Sequence, residues 1–299
     1  MKILSSYYLD FEDNTTLNEQ LNCLSQNSLQ YLVLRSIGSK QLFSFVSKEI
    51  EEFSSQIKKS KAKIAYYDLT LEEYNINDTI KENTIFPLFV KTLDYLKILN
   101  IDCLAFNIPL FNDVVKEKEL LTTVLNKYYA EAKKRGVTLV IKPNSNHESG
   151  VYAYVLKEIV KKGYILYNPL FYYLKKESSI SSYRVLREYI KIVVLDDINA
   201  NSKPSLLGYG EACIRDLFKR LNRDDYQSIV AVDKSMYSHL KKIVPASNKP
   251  KKGILKIFSK KPSKEYELIK KRISSNSNKV ITYNDILEFY KKIIEIMSR

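Results

Sequence analysis

Residues 118–144 read KELLTTVLNKYYAEAKKRGVTLVIKPN. Leu121, Val124, Leu125, Tyr128 and Ala132 recur at three- and four-residue spacing, which predicts a helix with one buried face. Lys133, Lys134 and Arg135 suit the negative end of that helix, and Gly136 stands where a left-handed cap would close it. Val137, Leu139, Val140 and Ile141 then form a short apolar run, which predicts a buried strand over 137–141. The run stops on Lys142. A long cation at the very end of an apolar strand is an odd choice for solubility alone.

The same helix-then-strand unit recurs along the chain. Strands are predicted over 2–4, 31–34, 63–67, 102–106, 137–141, 164–167, 192–195 and 229–232. In FVSKEIEEFSSQIKKS, Val46, Ile50, Phe53 and Ile57 share a helical face. Gly163 follows YVLKEIVKK as a second cap, and Pro87 is placed to open the third helix, where a missing N–H costs nothing. Eight such units over residues 1–245 predict an α/β fold, a (β/α)8 TIM barrel, of the usual ~250-residue size. An open doubly wound sheet is the competitor. It would carry a glycine-rich loop after its first strand, and SSYYLDFEDN has no glycine.

Composition sets the bounds. The chain has 299 residues and 45% hydrophobic content, with no long apolar run. MKILSSYYLDFEDN lacks the pattern of a signal peptide. Cys23, Cys103 and Cys213 are too far apart for a metal clip and read as reduced thiols, so a cytoplasmic location is expected. Of the net charge of +14, residues 249–299 carry +9. The barrel is therefore only mildly basic, which weakens any nucleic-acid reading of the whole protein.

Residues 246–299 read as a basic linker and C-terminal helices. KPKKGILKIFSKKPSK (249–264) mixes lysines with Ile254, Leu255, Ile257 and Phe258. It reads as a solvated linker, with weak contact to an anionic surface, lipid or nucleic acid, as the sharper alternative. Helices are expected around SKEYELIKKRI and YNDILEFYKKIIEIM. In the second, Ile286, Phe289, Tyr290, Ile293 and Ile294 form a stripe that must be buried.

Barrel chemistry sits at the C-terminal ends of strands. The residues just past the apolar runs include Tyr8, Asp10, Arg35, Tyr67, Asp68, Asn107, Lys142, Asn144, Asn168, Asp196, Asp197, Asp233 and Lys234. For Asp10, Asp68 and Asn107, loop solvation or helix capping is the favoured reading. No GxSxG, HExxH, P-loop or GxGxxG motif is present. The GYG at 208–210 precedes a helix and reads as a tight turn, with a phosphate cradle as the alternative.

Several segments together resemble the xylose-isomerase-like barrels, the sugar phosphate isomerase and epimerase superfamily. YYAEAKKRGVTLVIKPN resembles that family's helix, "GV" and strand ending in Glu-Asn. YILYNPLF resembles its strand ending in Asp-x-x-His. YIKIVVLDD followed by LLGYGEACIRDLFKRL resembles its His-x-Lys-Asp strand and Leu-Gly-x-Gly helix start. DDYQSIVAVD resembles its last strand.

The resemblance implies a metal held by glutamate, aspartate, histidine and glutamate from successive strand ends. Those positions fall here on Lys142, Asn168, Val194 and Asp233, with Phe171 where a nearby histidine would be. Only one keeps a carboxylate, so the expectation is no metal and no cofactor. What remains implied is a sugar or sugar-phosphate isomerase or epimerase of divergent, metal-independent mechanism. The second reading is a non-catalytic sugar-phosphate-binding protein on a degenerate barrel. Lys142 and Asp233 are the expected catalytic pair, approaching each other across the mouth. Arg35, Asn144, His147, Asn168, Asp196 and Lys234 are the expected substrate-binding residues; His239 reads as structural. Apurinic endonucleases share this barrel, but their metal cluster is rich in histidine, and two histidines in the whole chain argue against that role.

Overall fold

The computed structural model describes residues 3–10, 15–144, 147–243, 264–273 and 280–299. The first half runs β1 (Leu4–Tyr8), α1 (Leu17–Gln26), β2 (Tyr31–Leu34), α2 (Ser47–Ser60), β3 (Lys63–Asp68), α3 (Thr79–Leu99), β4 (Cys103–Asn107) and α4 (Lys118–Lys134). The second runs β5 (Thr138–Lys142), α5 (Ser149–Tyr154), β6 (Tyr164–Tyr167), α6 (Pro169–Leu174), α7 (Ser179–Leu186), β7 (Ile190–Leu195), α8 (Ile214–Arg223) and β8 (Ile229–Val232). Three helices follow: α9 (Ser235–Ile243), α10 (Lys264–Ile273) and α11 (Tyr283–Met297). The eight strands pair in parallel in sequence order, and β8 pairs with β1 to close the barrel. Among the described residues no helix is long and apolar enough to cross a membrane.

Side chains alternate across each strand, so every second residue fills the lumen. Val33, Tyr66, Ala105, Val140, Leu166, Val194 and Ala231 pack there against one another. The opposite faces pack outward in a larger core against the helices.

Three local expectations need correction. The first strand lies at Leu4–Tyr8, not 2–4. It is not an apolar run, because the polar groups of its inward residues are satisfied inside: the Ser6 hydroxyl donates to Val230 O at 3.3 Å and the Tyr8 hydroxyl to Asp68 Oδ2 at 2.8 Å. The third helix starts upstream of Pro87, which lies in its interior. Asp78 sets that start, its carboxylate accepting the Lys81 N–H at 3.0 Å. Gly136 does take the left-handed conformation, with φ +70°, but after α5 that role falls to Lys161. Gly163 is required for space instead, since a Cβ would lie 2.7 Å from Leu156 Cδ2.

The C-terminal helices pack on the barrel and share its outer core. Ile286, Tyr290 and Ile294 of the expected stripe are buried, joined by Leu287, while Phe289 and Ile293 are half-buried. Helix α11 spans from the end of α8, where Asn222 Nδ2 donates to Met297 O at 2.8 Å, to the end of α1, where Lys291 Nζ donates to Ser28 O at 3.3 Å. In α10, Tyr266 and Ile269 are buried, and Glu265 holds the His239 ring at 2.8 Å. The anionic-surface expectation for 249–264 lies outside the described residues, Lys264 excepted.

Candidate functional site

Two residues beyond each lumen side chain lies the next inward position, at the barrel's C-terminal mouth. These positions are Asp10, Arg35, Asp68, Asn107, Lys142, Asn168, Asp196 and Asp233. Each strand thus delivers one polar group to one rim. Below them lies a cavity of about 160 Å³. Tyr8, Arg35, Asp68, Lys142, Asn168 and Asp233 supply its polar lining. Pro143, Leu166, Phe171 and Val194 supply its apolar lining. Two larger grooves open at the other end of the barrel, between helix ends, around Ser28, Gln30 and Tyr31. They gather no set of convergent acids and bases, so the mouth is the candidate site.

Asp68 is the hub. Its Oδ1 accepts from Lys142 Nζ at 2.6 Å and its Oδ2 from the Tyr8 hydroxyl at 2.8 Å. Lys142 also donates to Leu69 O at 2.9 Å, and the Tyr8 and Tyr66 hydroxyls lie 2.7 Å apart. Burial, reinforced by the Asp68 charge, pushes both phenols well above their usual range, so they stay protonated. The expected pairing of Lys142 with Asp233 is therefore wrong: Asp68 is within reach and takes the ammonium. The expectation that Asp68 is a solvated loop residue fails for the same reason, since its side chain is buried and ion-paired.

Asp10 is likewise no solvated cap. It receives Arg35 through two hydrogen bonds, at 3.0 and 3.1 Å, and Ser36 Oγ at 3.1 Å. Lys234 Nζ lies 3.2 Å from the same carboxylate and donates to the Asp10 carbonyl. Burial opposes the Arg35 charge, but the Asp10 bonds outweigh it and raise its pKa. The guanidinium also sits 4.5 Å above the Tyr8 ring.

Asp196 and Asp233 end neighbouring strands, and Ser235 ties them together. Its N–H donates to Asp233 Oδ1 at 2.8 Å and its hydroxyl to Asp196 Oδ1. Burial, and then the Asp233 charge, pushes Asp196 up to about 7. Burial raises Asp233 as well, against the pull of Arg35.

The remaining expected site residues serve the frame in this structure. Asn168 caps α6, its Oδ1 accepting from Leu170 N at 2.8 Å, while it also lines the cavity. Asn144 is buried and locked to the Tyr152 hydroxyl at 2.8 Å. His147 stacks on Phe111 at 4.0 Å and bonds Phe111 O at 2.9 Å, and burial lowers its pKa. Neither Asn144 nor His147 lines the cavity. Asp197 organises the following loop: Oδ2 accepts from Gly208 N at 3.0 Å and Gly210 N at 2.9 Å, and Oδ1 from Ala212 N at 3.0 Å. The GYG amides are thus already spent, and the tight-turn reading holds over the phosphate cradle.

The positions that the family resemblance assigns to metal ligands do not fit a divalent cation. Such a cation wants several oxygen or imidazole donors. Val194 offers none, Lys142 brings a positive charge, and the Asn168 oxygen is turned to a helix N-terminus. Among the described residues no three His, Cys, Asp or Glu side chains are grouped to hold a metal.

No family model matches the sequence, and no curated protein sequence matches it. Solved structures do match in fold. A xylose isomerase domain protein from Planctomyces limnophilus superposes with TM-score 0.64 at 9% identity, covering 78% of this chain and 88% of its own. The IOLI protein, solved with a bound zinc atom, gives TM-score 0.64 at 16% identity over 78% and 88%. A 3-keto-D-glucoside 4-epimerase from E. coli gives 0.59 at 15% identity over 78% and 91%.

Proposed function

We propose that this chain, which shares the fold of the xylose-isomerase-like barrels, acts on a small carbohydrate as an isomerase or epimerase without a metal. The observation that carries this reading is Lys142. Its ammonium sits at the cavity wall where the resemblance places a metal-binding glutamate, fixed by Asp68 and Leu69 O. Moving a proton next to a carbonyl builds negative charge on the carbonyl oxygen, and a positioned cation stabilises that charge. Lys142 supplies the cation. Asp233, in the same cavity, carries the proton. Tyr8 and Asn168 offer hydrogen bonds to the hydroxyls of the ligand, and the Phe171 and Leu166 wall takes its C–H face.

The ligand is a neutral sugar in this reading, not a phosphate ester. Arg35 and Lys234 share Asp10, and Lys142 is matched by Asp68, so two acids face three cations. Asp233 supplies the third negative charge. A phosphate would have to break one of these pairs. The volume equals about five water molecules at ~30 Å³ each, enough for a short carbon chain with the remainder in the open mouth.

The test is hydrogen exchange. Neutral aldoses and ketoses are incubated with the protein in D2O, and NMR follows deuterium entering the carbon beside the carbonyl. Exchange that Lys142→Met abolishes and EDTA leaves unchanged is the expected result. The second reading, a binding protein without turnover, is favoured by the closed Asp68–Lys142 pair. It predicts that a sugar binds with no exchange.

A further inference from the structure

The surroundings of Lys142 point to more than a fixed charge. Its Nζ has Asp68 Oδ1 at 2.6 Å, close enough to take a proton. The same carboxylate is hydrogen-bonded to the Tyr8 phenol at 2.8 Å, and that phenol to Tyr66 at 2.7 Å. An amine, a carboxylate that can accept its proton, and a phenol that can return one therefore stand in a single line. The same cavity is also lined by Leu166 and Val194, both buried. These apolar side chains let a carbon skeleton lie against them.

We propose that Lys142 forms an imine with the carbonyl carbon of its ligand. The inference deepens the carbohydrate reading above and rests on it for the presence of a carbonyl ligand. The step balances without any co-reactant. The ammonium passes one proton to Asp68, and the freed nitrogen lone pair attacks the carbonyl carbon. The C–N bond forms as the carbonyl π pair moves to oxygen, which takes a proton from the Tyr8–Asp68 array. The resulting carbinolamine loses its hydroxyl as water, using the second nitrogen proton by way of Asp68. The nitrogen is left as a protonated imine. Overall one ammonium and one carbonyl give one iminium and one water, with charge conserved. The iminium is an electron sink for the neighbouring C–H bond, so it does the work that a polarising metal would do in this barrel. Asp233 faces the same cavity and is placed to receive that proton.

The decisive experiment is reductive trapping. Full-length protein is incubated with dihydroxyacetone and cyanoborohydride, digested, and mapped by mass spectrometry. The expected result is one reduced three-carbon adduct on the Lys142 peptide. It should form at least ten-fold faster than on surface lysines such as Lys59 or Lys97, and more slowly in Asp68→Asn. Lys142→Arg should show no selective adduct, with an unchanged circular dichroism spectrum reporting the fold. Labelling spread evenly over surface lysines, or no adduct at Lys142, overturns the proposal. The two readings fail separately. Deuterium exchange without trapping removes the imine and leaves the metal-free isomerase. Selective trapping without exchange or isomerisation keeps the imine and removes the isomerase.

Discussion

Asp68 Oδ1 lies 2.6 Å from Lys142 Nζ, joining the ends of two strands that are not neighbours in the barrel. Strand β4 runs between them, so the pair clasps the rim across it. The Asp68 side chain is 6% exposed and that of Lys142 20%. Removing one partner of such a pair strands the other charge in a poorly solvated place.

Asp68→Ala should therefore destabilise the protein by roughly 2 kcal/mol, below the 3–5 kcal/mol of a fully buried pair because Lys142 keeps some contact with water. Lys142→Met combined with Asp68→Ala should recover most of that loss. Urea unfolding of the two single variants and the double variant measures the coupling. Additive losses would show that the pair contributes nothing as a pair.

Burial of Asp196, with the Asp233 charge nearby, gives stability a pH dependence. A carboxyl raised to about 7 in the folded state binds more protons than its unfolded counterpart between its ordinary value and that point. Stability from this group is therefore fully present at acid pH and falls as pH rises toward about 7. Asp196→Asn should remove that slope and make the protein more stable than wild type at about pH 8, by on the order of 2 kcal/mol. Urea midpoints of both proteins at acid and alkaline pH check it. A wild-type protein that gains stability across this window, with the variant following it, would contradict the assignment.

Gly210 reports on the loop that Asp197 holds. An added Cβ would lie 2.2 Å from Ile198 O and 2.3 Å from Asp197 Oδ1, both rigid neighbours. Gly210→Ala should cost roughly 2–4 kcal/mol, as close approach to fixed polar groups usually does. Asp197→Ala should cost a similar amount, since four backbone N–H groups lose their acceptor. Thermal unfolding of both variants compares them; a Gly210→Ala protein of wild-type stability would mean that the loop can shift.

Much of this architecture could be read from the sequence, and the misses have physical causes. Strands such as Tyr31–Leu34 and Ile229–Val232 are apolar on both faces, so composition marks them directly. Strand β1 hides because its lumen face carries Ser6 and Tyr8, whose polar atoms are satisfied by groups from β8 and β3. The mouth residues are all legible as the polar groups that follow the apolar runs, yet in the sequence Asp68 reads as a solvated acid. Nothing local distinguishes it. Its partner is 74 residues away, and only the barrel's closure brings Lys142 to it. The two-residue strand period aligns the rim: Tyr66 to Asp68, Val140 to Lys142, Val194 to Asp196, Ala231 to Asp233. The same count separates Asp196, which faces the mouth, from Asp197, which turns away to hold the GYG loop.

The charge balance at the rim yields the last prediction. Arg35 is held by Asp10 in a two-pronged bond, and Lys234 leans on the same carboxylate. Lys142 is held by Asp68. A phosphate ester entering this mouth must displace one of these acids and also approach Asp233. A neutral sugar needs only hydrogen bonds and an apolar face, and the mouth offers both. In calorimetric titrations, a neutral ketose or aldose should therefore bind at least ten-fold more tightly than its own phosphate ester, a difference of about 1.4 kcal/mol. Inorganic phosphate should not compete. Asp10→Asn should narrow the preference, because it frees Arg35 and Lys234 to meet an anion. In the metal-free reading EDTA should change none of these values, since among the described residues no three His, Cys, Asp or Glu side chains are grouped to hold a cation. Tighter binding of the phosphate ester to wild type, lost in Arg35→Ala, would instead make the Asp10–Arg35 pair a latch that opens for an anionic substrate.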